Sequence, residues 1–276
     1  MHPRLLTTPV YTLRTFGVLL AAAYLIAYWW MLREGKRQRL DVDALGSLGM
    51  WAIVGAIVGA RVLMIVRAWP DYVAHPSELL SPSLLVAAGD FYGGFIGALI
   101  FSAIFFRRHP ELPFWQAADV CAPAIALGQA IGRIGCFMAG DDFGRATQVP
   151  WAVTFTDPDA ATIGGAPLGV PLHPVQLYES VACLILFFVL VRLIRHKRFD
   201  GEVILAYTFL YAVARFVLEM FRGDADRGFV FGGLLSTSQF IAVVLAPAAI
   251  VLWVIRRQKA QKAQKTTPQK TTRSYA

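Results

Sequence analysis

Apolar residues run through this chain in long unbroken stretches separated by short polar segments. Seven of these stretches read as membrane-crossing helices: 12–32, 48–66, 91–106, 119–138, 176–194, 203–221 and 234–255. In hydrocarbon every backbone N–H and C=O needs a partner within the chain, and a stretch of this length meets that demand as a helix. The expected fold is therefore an all-α integral membrane protein with seven transmembrane helices. The first stretch reads as a membrane helix and not as a cleaved leader. Its apolar run is too long, no small-residue cleavage site is evident, and the stronger basic cluster follows it.

The polar segments give an orientation. Arg33, Lys36, Arg37 and Arg39 follow the first stretch, Arg107 and Arg108 the third, and Arg192, Arg195, Lys197 and Arg198 the fifth. A further basic run from Arg256 to Arg273 follows the seventh. With seven spans all four segments fall on one side, and an excess of Lys and Arg marks the cytoplasmic side. The N-terminus is then outside and the C-terminus cytoplasmic. The longest outer loop, 139–174, is rich in Gly and Pro and is expected to be ordered only by docking on the helices. Residues 1–257 make the transmembrane domain. The polar, repetitive segment 258–276 reads as a disordered basic tail.

Composition sharpens this picture. Hydrophobic residues make up 57% of the 276, and charged residues only 16%, where soluble domains carry roughly a quarter. The net charge of +8 does not point to nucleic acid, because the cations sit beside apolar runs and in the tail. Cys121, Cys136 and Cys183 are an odd number within apolar segments and imply no disulfide framework. No Cys/His cluster with zinc spacing, Walker loop or nucleophile elbow is present, and no internal repeat of the transporter kind.

Charges inside a span are costly unless paired or hydrated, so each one is a candidate for function. Arg61, Arg133 and the trio Arg215, Glu219 and Arg222 lie near the ends of spans that run outward. Asp90 and Tyr92 open the third span, and His173, Gln176 and Glu179 open the fifth, from the same side. Segments far apart in sequence thus place polar groups at one depth. Snorkelling arginines alone do not ask for Glu and His at that depth. Arg215, Glu219 and Arg222 share one helix face, so Glu219 can orient one guanidinium while another meets a ligand. The planar guanidinium fork matches phosphate oxygens; a structural Arg–Glu–Arg ladder is the alternative. Arg222, at the mouth of its span, is expected nearer to water. Gly93, Gly97, Gly128 and Gly132 read as helix-packing residues, whereas Gly135, Gly140 and Gly144 flank Arg133 and the turn leading to Arg145. His173 reads either as an interfacial residue at a helix start or as a base, and Cys136 as a small buried residue.

Taken in order, these segments resemble the bacterial prolipoprotein diacylglyceryl transferase family. The matching elements are Gly59-Ala60-Arg61, Phe91-Tyr92-Gly93-Gly94-Phe95-Ile96-Gly97, Gly132-Arg133-Ile134-Gly135-Cys136-Phe137 with Gly140 and Gly144-Arg145, His173-Pro174-Val175-Gln176-Leu177-Tyr178-Glu179, and Arg215-Phe216-Val217-Leu218-Glu219 with Arg222. The resemblance implies transfer of the sn-1,2-diacylglyceryl group of phosphatidylglycerol to the lipobox cysteine thiol of a prolipoprotein. A thioether forms and glycerol phosphate leaves, at the outer face of the bacterial inner membrane, with no metal or organic cofactor. On this reading Arg133 and Arg215 stabilise the leaving phosphate and Glu219 orients them. Arg61, Arg145, Arg222, Gly140, Gly144, Gln176, Tyr178 and Glu179 bind substrate.

Three positions depart from the family pattern. Tyr92 stands where the family usually has His, Cys136 where it has Asn, and Asp141-Asp142 where a Glu is common. Tyrosine is a poor base near neutrality, with a reference pKa of about 10. The base is then His173, Glu219 or Asp141, or Tyr92 acts by hydrogen bonding alone. The other readings are a non-catalytic lipid-binding protein or transporter of the same fold, and a phosphatidylglycerol-dependent transferase with another acceptor.

Overall fold

The computed structural model describes residues 4–7, 12–77, 89–224 and 228–266. The helices are α1 (Thr15–Arg37), α2 (Val42–Arg67), α3 (Trp69–Ala74), α4 (Phe91–Arg108), α5 (Phe114–Ala139), α6 (Pro158–Gly164), α7 (Val175–Ile194), α8 (Glu202–Glu219) and α9 (Thr237–Thr266). Short antiparallel ribbons pair β1 (Arg4–Thr7) with β2 (Thr12–Arg14), β3 (Val153–Thr154) with β4 (Pro171–Leu172), and β5 (Phe229–Val230) with β6 (Leu235–Ser236). Met1–Met31 and Ala118–Ala276 form one compact unit and Leu32–Ala117 a second.

Among the described residues six helices, α1, α2, α4, α5, α7 and α9, are long and apolar enough to cross a membrane. The chain is an all-α integral membrane protein. The stretch expected as a further span at 203–221 forms a helix, α8, but it differs from the other six. Its 18 residues include Glu202, Arg215 and Glu219, which lowers its apolar character.

Within the smaller unit, α2 and α4 meet through glycine. A Cβ added at Gly55, Gly59, Gly93 or Gly97 would stand 2.1–2.6 Å from a carbonyl oxygen of the facing helix. The two backbones therefore touch directly, as small residues permit in lipid. Asp90 caps α4 by accepting from the N–H of Tyr92 at 2.9 Å and of Gly93 at 3.1 Å, and Arg67 donates to its other oxygen at 2.6 Å. The packing role expected of Gly93 and Gly97 is visible here. Gly132 differs, since nothing lies within 4 Å of where its Cβ would be.

Within the larger unit, one buried carboxylate starts α8. Asp119 of α5 accepts from the backbone N–H of Gly201 (2.9 Å), Val203 (2.9 Å) and Ile204 (3.1 Å), and from Lys197 Nζ (3.1 Å). These are donors that a helix N-terminus leaves without intrahelical partners. At the other end, α5 is joined to α7 by the long segment expected to depend on docking for its order. It has a small core of its own, Phe155, Ala160, Ala166 and Leu172, with Phe143 and Val170 packed against it. Arg4 of β1 makes an ion pair with Asp159 of α6. The last helix, α9, runs to Thr266, past residue 258 where the tail was expected to begin. Its Lys, Ala and Gln residues are good helix formers despite their polarity. Residues 267–276 of that tail lie outside the described residues.

Candidate active site

The charged cluster in the larger unit is centred on Glu179, in the first turns of α7. Its side chain is buried, and each oxygen has a partner. Oε1 accepts from the hydroxyl of Tyr211 at 2.9 Å. Oε2 lies 3.0 Å from Arg133 Nε and 3.1 Å from Arg215 Nη1. One carboxylate thus joins α5, α7 and α8. Arg215 also reaches Glu219 at 2.9 Å, one turn further along α8, and donates to Ser238 Oγ of α9 at 3.4 Å. Charged groups in an apolar bundle are tolerated when each has such partners.

A second carboxylate ties the turn after α5 to the cluster. Asp142 pairs with Arg133 through one oxygen and with Arg222 Nη2 through the other, at 2.5 Å. Asp224 holds Arg222 from its far side at 2.8 Å. Burial alone would raise the Asp142 carboxyl, but the Arg133 and Arg222 guanidiniums outweigh it and hold it below the usual carboxylate range. Asp141 shifts the other way. Crowding by protein raises its carboxyl first, and the negative charge of Asp142 adds to that. Both aspartates belong to a turn that Gln176 pins by donating to the Asp141 carbonyl at 2.7 Å.

Glycine allows this turn to form. Gly140 has φ 76° beside Ala160, a conformation that L side chains rarely adopt. A Cβ at Gly144 would meet the His173 carbonyl oxygen at 2.2 Å. Gly144 bridges to Arg222, and the Arg145 N–H donates to the Phe221 carbonyl at 2.9 Å. The two glycines therefore act through backbone approach, bringing the Asp141–Arg145 turn against the end of α8.

His173 lies beside this turn in an aromatic group. Its Nδ1 is 3.2 Å from the Tyr178 hydroxyl, which also accepts from Trp151 Nε1 at 2.6 Å, and its ring meets Phe221 edge-on at 5.3 Å. Burial and then the Arg145 charge lower the His173 pKa, so its imidazole is neutral near pH 7. Arg145 is exposed, with its guanidinium 5.6 Å from the Phe221 ring centre.

The structure thus brings Arg133, Arg215, Glu219, Arg222 and Glu179 into one network, with Gln176, Gly140 and Gly144 holding its turn. His173, Tyr178 and Arg145 form the neighbouring group. Arg61 of α2 and Tyr92 of α4 belong to the smaller unit, where both are half-buried. Reasoning from sequence missed Tyr211, Asp224 and Ser238. Tyr211 precedes Arg215 by one helical turn, so the stripe Tyr211–Arg215–Glu219 carried a signal for it.

The thiol of Cys136 and the carboxylates of Asp141 and Asp142 have possible ligand atoms within 4.8 Å of one another. Asp142 is already committed to two guanidiniums, and Arg133 Nη1 is 3.8 Å from Cys136 Sγ. That positive surround disfavours a bound cation.

A sequence model described as Prolipoprotein diacylglyceryl transferase matches residues 3–255. The chain belongs to the prolipoprotein diacylglyceryl transferase family. Among similar proteins is the phosphatidylglycerol–prolipoprotein diacylglyceryl transferase of Geobacillus kaustophilus, 35% identical over 248 residues, which cover 90% of each chain. The protein of the same name from Enterococcus faecalis is 34% identical over 260 residues, 92% of this chain and 89% of the relative. That of Finegoldia magna is 30% identical over 242 residues, 87% of this chain and 89% of the relative. The family match includes every segment that builds the charged network.

Proposed function

We propose that this protein transfers the sn-1,2-diacylglyceryl group of phosphatidylglycerol to the lipobox cysteine thiol of prolipoproteins. Sulfur bonds to the terminal glycerol carbon of the lipid, and the bond from that carbon to the phosphate oxygen breaks. Its electron pair leaves with glycerol phosphate, and the thiol proton passes to a base. Negative charge therefore grows on the phosphate as the reaction proceeds, and fixed cations aimed at it are the strongest help available. The observation that carries this reading is the sharing of Glu179 Oε2 by Arg133 and Arg215 at 3.0 and 3.1 Å. Asp142 also holds Arg133, and Glu219 and Ser238 hold Arg215, and the guanidinium N–H donors beyond these contacts suit phosphate oxygens. Arg222 and Arg145 guide the headgroup.

The thiol has a reference pKa of about 8.5 and is already partly ionised near neutrality. Modest help suffices, and Tyr92 supplies it as a hydrogen-bond partner and not as a full proton acceptor. His173, Glu219 and Asp141 are the candidates to take the proton, and Glu219 is already paired with Arg215 at 2.9 Å. The raised Asp141 carboxyl is a better proton acceptor than an ordinary aspartate, and the neutral His173 ring has a nitrogen lone pair available.

The same reading makes α8 the seventh membrane helix, its charges covered by Glu179, Ser238 and the neighbouring helices. The N-terminus then lies outside, the basic connections and the C-terminal segment inside, and the site at the outer leaflet of the bacterial inner membrane. Residues 1–257 form the transmembrane part and the following basic segment its cytoplasmic tail. Complementation tests the function. In a bacterium depleted of its own transferase, this chain restores growth and a reporter lipoprotein gains the mass of diacylglycerol. Growth without that mass gain contradicts the assigned acceptor.

A further inference from the structure

The opposite end of the α7–α8 pair carries a second concentration of charge that the transfer reaction does not use. The turn from α7 to α8 and the last turns of α9 border an open cavity of about 490 Å³, lined by Lys197, Arg198, Phe199, Asp200, Arg256 and Lys259, with small alanines of α9. The lining holds four cations and one carboxylate. Asp200 pairs with Lys197 at 2.9 Å, and its carbonyl accepts from Arg256 Nη2 at 3.1 Å. Lys197 also reaches the buried Asp119 at 3.1 Å. Arg198 and Lys259, both exposed, add two further positive charges at the mouth.

We propose that this cavity binds the phosphate group of an anionic membrane lipid, at the membrane face opposite the transfer site. The volume falls within the range of small-ligand pockets, and convergent Arg and Lys side chains are the usual donors to phosphate. Helix α9 points to a lipid source. Val251, Ile255 and Lys259 recur every four residues and so share one helix face. Val251 and Ile255 are exposed apolar side chains. An acyl chain can follow that face while the headgroup sits among the cations. At 30 residues, α9 is roughly 45 Å long, against a hydrocarbon thickness of about 30 Å. Its last turns therefore extend to headgroup depth and beyond. A bound phosphate ties the end of α9 to the turn before α8, the helix that carries Arg215 and Glu219.

General attraction of basic loops to anionic lipid is the competing explanation, and a matched pair of variants separates the two. R198Q/K259Q removes two charges from the cavity lining, and R195Q/R257Q removes two exposed charges outside it. Full-length protein is bound to phosphatidylcholine vesicles doped with phosphatidic acid, and retained lipid is counted by native mass spectrometry. Inorganic phosphate is titrated separately. Each lining residue removed takes with it a charge-assisted hydrogen bond to phosphate, so the lining variant should lose at least about tenfold in affinity for phosphatidic acid, while the control loses only the smaller general attraction of its two surface charges. Loss confined to the lining variant supports the site, whether phosphatidic acid or free phosphate is the tighter ligand; the comparison names the source. Equal loss in both variants, or no binding of either probe by the unmodified protein, overturns the proposal. Retained transferase activity in both variants shows that each is folded.

Discussion

Arg133 and Arg215 are held by the same carboxylate oxygen, Oε2 of Glu179, at 3.0 and 3.1 Å. Two cations from separate helices are thereby fixed on one carboxylate oxygen. Glu179→Gln keeps the shape and removes the charge that makes this possible. Because displacement of a positioning group by about 1 Å can cost roughly a hundredfold in rate, kcat should fall by about that factor, with a smaller change in KM for phosphatidylglycerol. Steady-state kinetics in mixed micelles measures the split. A rise in KM alone would mean that Glu179 serves binding and leaves the chemical step untouched. The Tyr211→Phe variant removes one neutral hydrogen bond to the other oxygen and should be milder.

Asp142 predicts a dependence on acid. Its folded-state carboxyl lies below the ordinary range, held there against burial by Arg133 and Arg222. A depressed carboxyl contributes stability that is fully present above its unfolded value, about 3.9, and is lost as pH falls through the folded value. The thermal midpoint in detergent should therefore be insensitive to this group above about pH 5 and decline below about pH 4. Asp142→Asn should lower the midpoint near neutrality and flatten the acid branch. An acid branch of unchanged slope in Asp142→Asn would assign the loss to other carboxylates.

Much of the site was legible in the sequence because membrane-embedded charges are few and each calls for a partner. The spacing of Arg215, Glu219 and Arg222 gave the helix face, and His173 to Glu179 gave the start of α7. The partners themselves were less legible. Glu179, read as one of several residues opening a helix, is the centre of the network, since only tertiary packing brings α5 and α8 to it. Arg222 was expected nearer to water, yet its side chain is 6% exposed against 16% for Arg133. The Asp141–Arg145 turn and Asp224 cover it, and neither contact follows from local periodicity. The extent of α9 was underestimated for a simpler reason, as polar composition was given more weight than the helix propensity of Lys, Ala and Gln.

Tyr92 is one of the three positions that depart from the pattern of the family the sequence resembles. If its hydroxyl serves the thiol or the phosphate ester by hydrogen bonding, Tyr92→Phe should slow turnover by roughly ten- to a thousandfold. Phenylalanine preserves any role as an interfacial aromatic anchor. Tyr92→His should retain activity, with an optimum shifted toward lower pH. Unchanged turnover in Tyr92→Phe at saturating lipid assigns Tyr92 to anchoring and moves the proton to Asp141 or His173.

The most direct test uses purified protein in vesicles of phosphatidylglycerol with a lipobox peptide bearing one cysteine. Peptide mass and released glycerol phosphate are followed together, for the unmodified chain and for Arg133→Lys. The expected result is one diacylglyceryl thioether per glycerol phosphate released. Arg133→Lys, which keeps the charge but loses the bidentate fork, should be slower by at least about a hundredfold. Glycerol phosphate release without peptide modification, or full activity in Arg133→Lys, would contradict transfer chemistry built on the Arg133–Glu179–Arg215 network.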